Sequence, residues 1–229
     1  MLCLPVCMPV CACLSAFACL PCLLVCLEFG KFALHFLGRR GEAMRLRGDA
    51  DCFDFWASEL KETGYLHNHA RMWFASIWIF TLHLPWQLGA DFFLRHLLDG
   101  DPASNTLSWR WIAGLQTQGK TYLARRDNIS KFTNDRFDPI GLSSSATPLK
   151  GKPHPNISIL NLSNLINPNM RTGLLIHDDD LDLSPVINGL KVESSIALNN
   201  LDGISPWSCA RSLHTFVNAS IEDVSRRYK

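Results

Sequence analysis

Hydrophobic and polar positions alternate along this chain in a way that predicts four helices in its middle. From Asp51 to Glu62 the residues Phe53, Trp56, Ala57 and Leu60 recur at helical spacing, and Gly64 is placed to end that helix. Tyr65 to Leu84 predicts a second helix, apolar on nearly every side; its stretch Met72–Leu84 is short for a membrane span and suits burial in an all-helical core. Pro85 breaks it, and Trp86–Leu98 predicts a third helix with Leu88, Phe92, Leu97 and Leu98 on one side. The turn Asp99-Gly100-Asp101-Pro102 follows, with Asp101 suited to cap a helix and Pro102 to open it. A fourth helix is therefore expected through Asn105, Trp109 and Ala113 to Gly114.

The periodicity then fades. Residues 117–140 read as loops and short turns, and beyond Phe137 the composition shifts to Ser, Asn and Pro, with Pro148, Pro153, Pro155 and Pro168 marking a linker. Two β-prone runs follow, Thr172–Ile176 and Val186–Val192, and Asn188-Gly189 is a hairpin signal. Residues 1–27 form a different kind of segment, uncharged, with Pro5, Pro9 and Pro21 and seven of the nine cysteines of the chain. It lacks the cationic start and small-residue cleavage site of a signal peptide, its prolines disfavour a membrane anchor, and Cys19-x-x-Cys22 has no polar partners for a zinc site. An anchor and a stretch foreign to the fold remain the competing readings. The expected organisation is a Cys-rich apolar segment over 1–27 outside the fold, a helical domain over 28–140, and a linker with a small C-terminal extension over 141–229.

Charge narrows the function classes. With 22 Lys and Arg against 21 Asp and Glu, the chain has neither a basic nucleic-acid tail nor an acidic solubilising one. Arg39, Arg40, Arg45 and Arg47 form a local basic loop, either solvated or touching DNA phosphates, and the acids Asp178 to Asp180 with Asp182 read as solvated loop residues. No metal site is expected. Cys52 and Cys209 are isolated, so no disulfide framework is indicated. Five of the seven tryptophans fall between Trp73 and Trp111, which marks the middle of the chain as the informative part. Trp73 and Trp78 are expected to pack in the core.

Helical geometry joins the polar residues of this middle region. His67 and Arg71 are four apart, as are Asn68 and Met72, so they share a face of the second helix. An arginine on an otherwise buried helix needs a partner, and Asp99 and Asp101 are the nearest candidates. Asn105 and Trp109 point the same way from the fourth helix, while Trp111 lies about 200° further round and looks elsewhere. Such an arrangement suits an organic cofactor with a second surface nearby.

The motifs Thr63-Gly64-Tyr65-Leu66-His67-Asn68-His69-Ala70-Arg71-Met72 and Leu98-Asp99-Gly100-Asp101-Pro102-Ala103-Ser104-Asn105, followed by Trp109-Arg110-Trp111, resemble the FAD-binding domain of the photolyase/cryptochrome family. Their separation also matches, as does Trp86 between them. The resemblance is firm from about Asp54 to Thr133. It implies a mostly α fold, a helical bundle corresponding to half of a photolyase-like FAD-binding domain with a small β-prone C-terminal tail. It implies FAD as cofactor and DNA containing pyrimidine dimers as partner. Arg71 would pair with Asp99 beside the flavin, Asp101 would contact the polar edge of the ring, and Asn105 would face its N5. Trp109 would be the adjacent electron donor and Trp86 the next in a tryptophan relay, while Asn68, His69, Met72 and Trp111 would line the cavity for a flipped dimer.

Departures from the family are equally readable. No βαβ pattern of an antenna domain is present, the Ser/Thr-rich phosphate loop has no counterpart, and Ala33 stands near where the third relay tryptophan would fall. The chain is thus expected to be a fragment or truncated form that repairs no dimers unaided, with a separate chain as one source of the missing half. The expected function is blue-light-driven electron transfer from flavin to a cyclobutane dimer; the alternative is a cryptochrome-type photoreceptor signalling to a protein partner. Asn105 favours repair, since plant-type photoreceptors tend to carry Asp there and insect-type ones Cys. Asn68 and Met72 stand where (6-4) repair enzymes have histidines, which favours the cyclobutane substrate. An intracellular location, cytoplasmic, nuclear or organellar, and no membrane partner are expected.

Overall fold

Phe53, Trp56 and Leu60 are buried on one face of helix α1 (Asp51–Thr63), and Gly64, at φ +71, closes it by donating to the Leu60 carbonyl at 2.9 Å. The positive φ is one reason for glycine there; a Cβ would also meet the Leu98 side chain at 2.6 Å. In the computed structural model, residues 51–151, 169–178, 180–182 and 189–227 are described. The expectations for segments 1–27 and 28–50, for Pro153, Pro155 and Pro168, and for Val186 to Asn188 lie outside them.

Helix α2 (Asn68–Ser76) starts later than its apolar pattern suggests, because the His67 ring accepts from the His69 amide and caps it. It runs directly into a π turn, Ile77–Thr81, where the Leu82 amide reaches back to the Ile77 carbonyl at 2.9 Å. Helix α3 (Trp86–Leu94) ends before Leu98, and the chain turns through Arg95–Gly100 instead. Helix α4 (Pro102–Ile112) starts as its sequence predicts, with the Asp101 carboxylate accepting from the Ser104 amide at 2.6 Å. Within the stretch expected to be loops lies a short helix, α5 (Arg126–Phe132), anchored by the fully buried Ile129.

These helices share one aromatic core. Phe53 stacks on Phe74 at 4.2 Å, Phe74 and Phe92 flank Trp78, and Trp109 meets Phe93 and Trp78 edge-on. Both Trp73 and Trp78 are buried in it. Gly89 on α3 lies against the Trp109 ring so closely that a Cβ would collide with it, and α3 and α4 approach through that gap.

The C-terminal region differs from the sequence expectation. Strands β1 (Thr172–His177) and β2 (Val192–Leu198) pair in parallel, with Leu175 opposite Ile196. Parallel strands cannot be joined by a tight turn, and about a dozen residues separate these two in sequence. Helix α6 (Arg211–Arg227), absent from the sequence reading, covers one face of the pair with Val224. Its Leu213 and Val217 join Leu201 and pack on Leu98, while Arg95 donates to the Ser208 carbonyl and lies over the Trp207 ring. The molecule is mostly α with a small two-stranded sheet. Among the described residues no helix is long and apolar enough to cross a membrane.

Candidate functional site

Helices α2 and α4 and the Arg95–Asp101 turn enclose a cavity of about 420 Å³. Asn68, Arg71, Met72, Asp99, Asp101, Asn105, Trp109 and Trp111 all line it. The sequence motifs, separated by up to forty residues, thus converge on one space.

Arg71 is held twice. Its Nε donates to the Leu66 carbonyl at 2.8 Å, and one Nη donates to both Asp99 oxygens at 3.0 and 2.9 Å. Yet the side chains are 24% and 58% exposed, so the pair sits in an open rim rather than on an otherwise buried helix. In that setting it contributes little to stability and serves to orient both groups. Asp101 also lies at the rim, and its carboxyl is held below the usual carboxylate range chiefly by the Ser104 amide it caps. It remains an anion at neutral pH.

Asn105 is half-buried, and its amide nitrogen donates to the Ala90 carbonyl of α3 at 2.7 Å, which fixes the plane of the side chain. Trp109, one turn on, is 2% exposed, and its indole nitrogen is buried with no hydrogen-bond partner among the described residues. A buried donor left unpaired costs about 1–3 kcal/mol. Trp111 lines the same cavity instead of facing elsewhere, but from the solvent side: it is 41% exposed and stacks on Tyr122 at 5.9 Å.

Two expected site residues lie outside the lining. His69 stacks on Trp73 at 5.6 Å and on Phe132, behind the α2 face that carries Asn68. Trp86 is half-buried against the core, and among the described residues the rings in contact with Trp109 are Trp78 and Phe93. The apolar wall of the cavity, Ala75, Phe93, Leu97 and Ile112, escaped the sequence reading. Its only signal was a helical spacing shared with ordinary core positions.

Residues 52–142 match the family described as the FAD binding domain of DNA photolyase. The chain is 37% identical over 110 residues to a deoxyribodipyrimidine photo-lyase of Streptomyces griseus, covering 37% of this chain and 24% of that protein. It is 30% identical over 126 residues to a cryptochrome DASH of Idiomarina loihiensis, covering 49% and 27%. With cryptochrome-1 of Arabidopsis thaliana it shares 36% over 93 residues, covering 41% and 13%. The match thus spans about a quarter or less of these relatives. No solved structure gives a significant match.

Proposed function

Because its helical region belongs to the photolyase/cryptochrome family through the FAD-binding domain, we propose that this chain works in blue-light-driven electron transfer to a cyclobutane pyrimidine dimer in DNA. FAD is the cofactor of that domain. The observation that carries the reading is the convergence of Arg71, Asp99, Asp101 and Asn105 on the rim of one cavity with an apolar wall, with Trp109 in its lining.

The donor and acceptor set suits the flat, polar-edged ring of a flavin. Phe93, Leu97, Ala75 and Ile112 offer an apolar face, and the Asp101 carboxylate at the rim suits a ring N–H. Arg71, fixed by Leu66 and Asp99, lends positive potential near that edge, and Asn105, with its amide nitrogen tied to Ala90, presents a fixed dipole. Bound FAD would supply light absorption and a transferable electron. Trp109 is the proposed electron source beside it, with Trp86 as the second indole. Asn68, Met72 and Trp111 receive the flipped base from the open side, with His69 behind them.

Titration of the 229-residue chain with FAD tests the reading. Arg71→Ala is expected to lose the bound yellow chromophore, because Asp99 is then left without its cation at the rim, while Lys131→Ala on α5 keeps it. Equal occupancy in the two variants would overturn the assignment. A photoreceptor reading is favoured by the cryptochrome relatives. Light-dependent loss of dimers from an irradiated oligothymidine, with the N-terminal half of a photolyase added in trans, separates the two; flavin bleaching without dimer loss would favour the photoreceptor.

A further inference from the structure

We infer that Tyr122 is a positioning residue, which fixes the Trp111 indole at the mouth of the cavity; the inference rests on the reading of that mouth as a site for a flipped base. Trp111 sits at the end of α4 with 41% of its surface exposed, so the helix alone leaves its ring several rotamers. The contact that selects one is Tyr122, stacked at 5.9 Å with the ring planes 28° apart.

Tyr122 is itself held by the backbone around it. Its amide donates to the Ile112 carbonyl at 3.3 Å, and two residues on, the Ala124 amide donates to the buried Ser76 hydroxyl at 2.8 Å. The chain folds back tightly here: Gly114 is at φ +77, and a Cβ on it would meet the Thr121 methyl at 2.9 Å. The Tyr122 phenol is half-buried, and burial pushes its pKa up. The segment that carries the ring is thus pinned to both α4 and α2. A base arriving at the mouth would then stack on a ring whose ordering is already complete.

The test labels the full chain with 5-fluorotryptophan and follows ¹⁹F resonances, with Trp111 assigned from Trp111→Phe. In Tyr122→Leu the Trp111 resonance should move toward the position of a freely solvated indole. In Tyr122→Phe, which keeps the ring and drops the hydroxyl, Trp111 should stay in place. An unmoved Trp111 resonance in Tyr122→Leu overturns the inference, and so does a Trp111 resonance that moves as far in Tyr122→Phe as in Tyr122→Leu. Titration with a UV-irradiated oligothymidine adds the functional readout: Tyr122→Leu should weaken binding about 2–10-fold, as loss of one aromatic pair does, and Tyr122→Phe should restore it. Weakening by Trp111→Ala without weakening by Tyr122→Leu overturns the role of Tyr122. Binding indifferent to Trp111→Ala overturns the flipped-base reading of the mouth, while the resonances still decide what holds the ring.

Discussion

The helical region and the C-terminal region bury apolar surface by different means. Helices α1 to α4 share one continuous cluster in which Phe74, Trp78 and Trp109 touch several elements at once. The C-terminal region has two small clusters, one of Leu174, Ile176 and Val224 and the other of Leu201, Leu213 and Val217. Its parallel strand pair is covered by α6 on one face and leaves Leu175 and Ile196 about 60% exposed on the other, although parallel sheets are normally covered on both. A site that must hold a rigid ring needs the first kind of packing, and the cavity lies in that region. Among the described residues, the second region packs on Leu98 and bonds to Arg95, the residues leading into the Asp99 turn.

The most severe break of this contrast is Phe74→Ala. Phe74 is 1% exposed and stacks on Phe53, Trp78 and Phe92, so its loss should cost about 3–5 kcal/mol, the usual range for a buried aromatic. Val224→Ala removes two methyls from a small cluster and should cost about 1–2 kcal/mol, less than the larger truncation. Urea melts followed by tryptophan fluorescence and by hydrogen exchange at Leu174 and Ile176 would compare them. Equal losses would mean that the two regions unfold as one unit.

Gly89→Ala tests the same core from the opposite direction. A methyl there has to displace the Trp109 ring, and overpacking of this sort costs about 1–3 kcal/mol. It should also shift Trp109 emission and weaken FAD binding, since Trp109 walls the cavity. A stable variant with unchanged emission would show that α3 can move away from α4.

How much of this was legible in the residues depended on whether a local signal and the tertiary outcome agreed. Asp101-Pro102 marked the start of α4, and the need of a helix arginine for a carboxylate left Asp99 and Asp101 as candidates for Arg71, of which the family resemblance singled out Asp99; the structure pairs Arg71 with Asp99. Helix α5 has no side-chain cap bond and buries only Ile129 in its span, so it left no pattern to read. Helix α6 did leave one, in Leu213, Val217 and Val224 at helical spacing with Arg226 and Arg227 in the last turn, and it was readable. The parallel pairing of β1 with β2 had no local signal, because strand partners distant in sequence leave no turn to read between them. Trp109 and Trp111 both line the cavity although a helical wheel sets them about 200° apart.

The smallest expected effect, and the one that isolates a single bond, is at the cap of α4. Asp101→Ala should cost about 0.5–2 kcal/mol, because the Ser104 amide loses its acceptor and the helix end loses a negative charge. The pH dependence has a definite sign. The Asp101 pKa is lowered in the folded chain by the Ser104 bond, so its contribution is complete above the unfolded value of about 3.9 and is lost as pH falls through the lower folded value. Asp101→Asn keeps a good neutral cap, so it should match the parent chain more closely than Asp101→Ala at neutral pH but lack this acid loss. Thermal melts of the three chains from pH 7 down to about 2 would check it. Because the C-terminal clusters make no use of this carboxylate, exchange at Leu174 and Ile176 should respond less to the substitution than exchange at Trp109 and Ile112. Parallel acid curves for the parent chain and Asp101→Asn would show that the cap does not depend on the charge of Asp101.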